Sequence, residues 1–319
     1  MSWAYKVDGP GFVMRVDRDD GDLPLQRGQI RLRFLAGGLC GSDMPLLQGV
    51  SVDSVSGMHD GAPIHEIVGE VVESASDVLE VGQRVVGTGG AAAGLAQMLV
   101  ESDTSFVPVP DDFTDTEAVP IQSIATVIRA ANGLPDVAGK RVAVIGAGPI
   151  GLAFVHVLRH RGAGHITVVD PVPRHDAALH YGADEFVAMQ SGRWVSMLGQ
   201  AERPSVVIEA VGHQNATIRD AIRAVANWGY VFGFGAADDD EYVIPYREMY
   251  ERGITLASGR TLGGWVEVLN EGRAYLIEHR ADFAEYITHV VPVDDAQTAY
   301  SLYAQPQVSR IKVAIVDAS

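Results

Sequence analysis

Short alternating runs fill the first third of the chain. Gln29-Ile30-Arg31-Leu32-Arg33-Phe34-Leu35 puts an apolar side chain at every second position, the period of a half-buried strand. With its glycine- and valine-rich neighbours it predicts a β-rich domain over residues 1–115. Pro108-Val109-Pro110-Asp111-Asp112 breaks the pattern. From Asp115 to Ala131 the apolar positions fall at helical spacing, which predicts helical structure there. From Arg141 to about Arg260 continuous apolar runs alternate with helical ones, which predicts a mostly parallel, doubly wound sheet in an α/β domain spanning 116–260. No internal repeat or low-complexity tract interrupts this order.

Composition agrees with two domains, because 319 residues exceed the size at which a single core keeps growing. Hydrophobic residues make up 47% of the chain, yet no apolar stretch approaches the roughly 20 residues that span a bilayer. The opening Met1-Ser2-Trp3-Ala4-Tyr5-Lys6-Val7 lacks a basic segment followed by an apolar one, so no secretory signal is expected. Cys40 is the single cysteine and cannot close an internal disulfide, which fits a reducing compartment. A soluble, cytoplasmic protein is expected. Its formal net charge of −17 repels nucleic acid phosphates and anionic lipid surfaces, so neither is an expected partner.

Candidate chemistry is densest between Lys140 and Asp170. Arg141-Val142-Ala143-Val144-Ile145 reads as a buried strand, followed by Gly146-x-Gly148-x-x-Gly151 and a helical run. In that context Gly146 allows a tight turn, Gly148 lets backbone approach a pyrophosphate, and Gly151 permits close helix–strand packing. Pro149 and Ile150 open the helix whose N-terminus meets the phosphate. The next strand, His165-Ile166-Thr167-Val168-Val169, ends at Asp170, whose carboxylate accepts ribose hydroxyls and repels a 2′-phosphate. NAD is therefore the expected cofactor. Arg174, four residues on, either stacks on the adenine or faces solvent.

A second set of residues lies earlier. Cys40 sits in Gly38-Leu39-Cys40-Gly41-Ser42-Asp43, and His65-Glu66 opens an apolar run. With the catalytic segment first and the nucleotide fold in the middle, the chain resembles the medium-chain dehydrogenase/reductase family, in its zinc-dependent alcohol and polyol dehydrogenase branch. The likeness spans nearly the whole chain, including the closing segments Ile287-Thr288-His289-Val290-Val291-Pro292-Val293 and Ile311-Lys312-Val313.

The resemblance implies a GroES-like β-rich catalytic domain, formed by residues 1–115 and 261–319, beside a Rossmann domain. It also implies one catalytic zinc held by Cys40, His65 and Gln122, with Glu66 as an alternating or outer partner. The four-cysteine lobe of many relatives is missing, since Gly87-Thr88-Gly89-Gly90-Ala91-Ala92-Ala93 leads straight into the strand at Gly94–Val100. The pattern departs from the family at Pro63-Ile64-His65-Glu66, where Gly-His-Glu is usual, and at Gln122, an amide where cysteine or glutamate is usual. A single thiolate leaves the metal site net positive and more electrophilic. Ser42 is implied as acceptor of the substrate's hydroxyl proton, Asp43 as the partner of His65, Thr126 as a nicotinamide contact and Lys312 as a pyrophosphate contact. His59 and Asp60 lie in an unusual polar loop before His65.

These readings imply an NAD-dependent oxidoreductase for a secondary hydroxyl of a polar small molecule such as a polyol, sugar or cyclitol. A homo-oligomer, preferably a dimer, is expected. Two alternatives are a zinc-free quinone or enoyl reductase of the same fold and a non-catalytic nucleotide-binding protein.

Overall fold

The computed structural model of the chain describes residues 2–19, 24–49, 60–259, 261 and 263–317. His59 lies outside them, whereas Asp60 is an exposed turn residue. No helix among the described residues is long and apolar enough to cross a membrane. The fold divides into two compact units, one of Met1–Thr126, Leu262–Pro306 and Arg310–Ser319, the other of Val127–Thr261 and Gln307–Ser309.

The first unit is built on strands. These are β1 (Ser2–Val7), β2 (Val13–Arg18), β3 (Gln29–Gly38), β4 (Glu66–Ser74), β5 (Arg84–Thr88), β6 (Met98–Ser102) and β7 (Phe106–Pro108). The second unit supplies β8 (Arg141–Ile145), β9 (His165–Val169), β10 (Glu185–Val187), β11 (Val206–Glu209), β12 (Tyr230–Gly233) and β13 (Thr255–Ser258). The chain then returns to the first unit with β14 (Ile287–Pro292) and β15 (Lys312–Val316).

The alternation read at Gln29–Leu35 is what β3 displays. Ile30, Leu32, Phe34 and Ala36 are fully buried, and the intervening residues are half-buried. At its end the pattern changes, because Gly37 and Gly38 are covered on both faces. β3 is central, with the sheet running β14-β15-β3-β4-β5-β7 and β6 pairing with β3 as well. β15 pairs antiparallel with the last three residues of β3, and β4 pairs with Gly38 through its first residue, Glu66. Three chain segments far apart in sequence therefore meet at the end of β3, just before Cys40.

The helical structure expected over Asp115–Ala131 is two helices, Asp115–Ala118 and Pro120–Asn132. Pro120 lacks an N–H and its ring crowds the preceding turn, so the break falls where the proline stands. A capping box at Thr114 and Glu117 starts the first piece. The break makes Gln122 a first-turn residue of the second helix.

The second unit is the doubly wound sheet that the alternating pattern predicts. Its six strands are all parallel, in the order β10-β9-β8-β11-β12-β13. The order reverses between β8 and β11, the switch point at which such sheets bind ligands. Ala143, Ile145, Val207, Val231 and Trp194 form part of its core.

Candidate active site

Cys40 follows β3 directly, and two backbone links fix it. The Leu39 N–H donates to the Val313 carbonyl at 3.0 Å, tying the segment to β15, and the Asp43 N–H donates to the Cys40 carbonyl at 3.1 Å. The turn brings the Asp43 side chain back over its own start. Its Oδ2 accepts the Cys40 N–H at 2.8 Å, and its Oδ1 accepts Nδ1–H of His65 at 2.8 Å. One carboxylate, 1% exposed, thus orients two candidate ligands and leaves Nε2 of His65 for a metal.

The donor atoms of Cys40, His65 and Glu66 all lie within 4.8 Å of one another. Burial alone would depress the pKa of His65. The Asp43 charge and hydrogen bond, together with Cys40, instead raise it well above the ordinary imidazole value. Thiol, imidazole and carboxylate at such spacing are the donor types zinc takes. The cluster therefore fits a zinc ion.

Glu66 has a partner that its motif did not reveal. The Lys312 ammonium donates to Glu66 Oε1 at 2.6 Å and stands 2.5 Å from Oε2, and both side chains are 1% exposed. That ammonium therefore faces both oxygens, and among the described residues no second donor reaches Oε2. Burial raises the Glu66 pKa, while Lys312 and His65 pull it back. Gly38 makes room for this pair, since a Cβ there would lie 2.4 Å from Glu66 Oε2 and 3.0 Å from Lys312 Cε. Lys312, expected at the cofactor pyrophosphate, thus has its ammonium on Glu66. A lysine inside the apolar run Ile311-Lys312-Val313, one of three lysines in the chain, was the available signal of a buried counter-charge.

The remaining residues of this unit are placed as follows. Ser42 is exposed at the N-cap of the helix Asp43–Gln48 and makes no side-chain capping bond. Gln122 is 4% exposed, and Thr126 Oγ1 donates to the Ser123 carbonyl at 2.7 Å.

In the second unit Gly146 adopts φ 104°, which side-chain-bearing residues rarely tolerate, and its N–H donates to Val169 at 2.8 Å. A Cβ on Gly151 would lie 1.9 Å from the Gly146 carbonyl oxygen, whereas one on Gly148 would meet nothing within 4 Å. Gly148 is the N-cap of the helix Pro149–His160 and offers it no side-chain cap. The glycines thus build a tight turn with open space at Gly148 and a helix N-terminus beside it, a cradle that fits a dinucleotide pyrophosphate. Asp170 Oδ2 accepts the Ala147 N–H and Oδ1 the Val172 N–H, both at 2.7 Å. Each oxygen keeps acceptor capacity for a ribose hydroxyl. Arg174 neither faces solvent nor stands clear of the turn. It is 6% exposed and donates to the Ala147 and Gln307 carbonyls, because the turn's inward carbonyl needs a donor.

Known proteins are similar to this chain in sequence and fold. The family model "Alcohol dehydrogenase GroES-like domain" matches residues 26–111, and "Zinc-binding dehydrogenase" matches residues 149–273. An L-threonine 3-dehydrogenase of Legionella pneumophila (strain Corby) is 26% identical over 282 residues, 77% of this chain and 81% of the relative. A sorbitol dehydrogenase of Bombyx mori is 28% identical over 203 residues, 61% of this chain and 56% of the relative. A solved structure from Sinorhizobium meliloti 1021, bound to NADP, superposes with a TM-score of 0.81 at 20% identity and covers 99% of both chains.

Proposed function

We propose a specific chemistry for this chain, which belongs to the zinc-dependent branch of the medium-chain dehydrogenase/reductase family: reversible oxidation of a secondary alcohol on a polar small molecule, with NAD as hydride acceptor. The observation that carries it is the cluster of Cys40, His65 and Glu66 with Asp43 bonded to both of the first two. A zinc-free reductase of the same fold has no use for that donor set.

When bound, zinc lowers the pKa of a coordinated hydroxyl and NAD accepts the hydride. The chain's residues do the rest. Cys40 and His65 hold the metal, and Asp43 fixes the imidazole tautomer and the Cys40 backbone. Lys312 answers the Glu66 charge, so that carboxylate adds little net negative charge to the site. The Gln122 amide oxygen is the third donor in this reading. Ser42 Oγ takes the hydroxyl proton, and Thr126 orients the ring of the cofactor. The glycines at 146, 148 and 151 shape the turn and leave space for the pyrophosphate at the helix N-terminus, while Asp170 favours NAD over NADP by accepting the ribose hydroxyls. The free outer edge of β13, which pairs only with β12 among the described residues, supports a homodimer, to be checked by light scattering.

Elemental analysis and NAD reduction test this reading together. About one zinc per chain and NADH formation from a panel of polyols and hydroxy acids are expected. A folded Cys40→Ala variant should hold no zinc and reduce no NAD, because its one thiolate ligand is gone. Full zinc in that variant, or stronger use of NADP than of NAD by the wild type, would contradict it.

A further inference from the structure

Arg310, two residues before Lys312, carries a charge that no described carboxylate answers. It is 9% exposed, and its Nε donates to the Gln305 carbonyl at 3.3 Å. Among the described residues no carboxylate pairs with it, and its Nη nitrogens have no hydrogen-bond partner. Burial lowers its pKa, an effect that Tyr303 partly offsets. A guanidinium withdrawn from water is costly unless an anion meets it. This one rests on a ring, with Cζ 4.7 Å from the centroid of Tyr303.

The position of Tyr303 gives the cation its meaning. The ring belongs to the helix Ala296–Ala304 and packs against the core of the first unit. Burial pushes its phenol well above the ordinary range, Cys40 and Asp43 add to the rise, Arg310 opposes it, and Glu66 adds again. The charges of the metal-site side chains therefore reach the Tyr303 phenol, and Arg310 lies over its ring. Lys312 cannot serve as a second free cation, since Glu66 engages it at 2.6 Å.

We propose that Arg310, seated on Tyr303, receives a carboxylate of the substrate, so that the preferred alcohols are hydroxy acids, including hydroxy amino acids. This rests on the proposed alcohol oxidation and adds the acid group to it. The guanidinium presents two parallel N–H donors to a carboxylate, an arrangement a neutral polyol cannot satisfy. The reaction itself is unchanged. The carbinol C–H bond breaks, its hydrogen and electron pair pass to NAD⁺, the hydroxyl proton is lost, C=O forms, and the carboxylate is carried through intact.

Matched pairs read the acid group alone: gluconate against sorbitol, 3-hydroxybutyrate against 1,3-butanediol, threonine against threoninol. In the zinc-loaded full chain, kcat/KM should favour each acid. Arg310→Met should lower the acid-to-alcohol ratio about 10- to 100-fold, the range for losing a charge-assisted hydrogen-bonded partner. Arg310→Lys, which keeps charge without the fork, should lie between. The Tm of Arg310→Met should not fall, because an unpaired buried charge is replaced by an apolar side chain of similar size. A ratio unmoved by Arg310→Met, with the polyols still oxidised, overturns the proposal and leaves the alcohol oxidation standing. A rise in the Kd of NAD at constant ratio also overturns it, by giving Arg310 to a dinucleotide phosphate. If no alcohol is oxidised, thermal protection decides. Gluconate protection that sorbitol does not match and Arg310→Met abolishes supports the carboxylate site alone, and absence of such protection overturns both.

Discussion

A buried and a partly buried glutamate show how a single residue's surroundings decide its charge. Glu66 meets a lysine, and removing such a partner from a buried ion pair typically costs 3–5 kcal/mol. Among the described residues Glu101 has the Gly90 N–H alone, which both its oxygens accept at 3.1 and 3.2 Å. Burial outweighs those bonds and raises its pKa from 4.5 to about 7. The acid is therefore more comfortable protonated in the folded state than in the unfolded one. Its contribution is fully present below the unfolded pKa of 4.5 and is lost as pH rises through about 7. Wild-type stability should lose up to about 3 kcal/mol from this group across that window. Glu101→Gln should remove the loss, so that urea unfolding finds the variant more stable at pH 8 and little changed at pH 5. An equal difference at both values would contradict the assignment.

Among the elements, the glycine turn separates space needed for folding from space kept for a ligand. Gly151→Ala should destabilise the second unit, because its Cβ would collide with the backbone oxygen of Gly146. Gly148→Ala has no such conflict, with φ −74° and open space around the position. It should leave Tm nearly unchanged yet weaken NAD binding at least about tenfold, since the methyl group occupies the approach to the pyrophosphate. Unaltered NAD affinity in Gly148→Ala, read by fluorescence titration, would remove the turn from the cofactor site. The turn was legible in the sequence because strand, glycines, helix and Asp170 lie within one short segment. The same holds for Cys40 with Asp43, three residues apart. The Glu66–Lys312 contact was not legible, since 246 positions separate the partners and only the return of β15 beside β3 brings them together. Arg310 and Tyr303 escaped for a related reason: a lone arginine reads as a surface residue until its burial is known. Pro120 was visible, but the helical spacing on either side concealed the break that it causes.

Across the whole molecule, each unit would carry one half of the proposed chemistry, and the metal half departs further from the family pattern. A chain with one cysteine can offer zinc only one thiolate, so nitrogen and oxygen donors must complete the coordination. That leaves a more positive metal than a two-thiolate site would and ties affinity to the Asp43 and Lys312 side chains behind the ligands. The most direct test is the zinc K-edge absorption spectrum of the purified full-length chain. The account predicts a single sulfur neighbour at about 2.3 Å, with the remaining neighbours nitrogen or oxygen at about 2.0–2.2 Å. Zinc bound without any sulfur neighbour, or a purified chain that takes up no zinc, would contradict it.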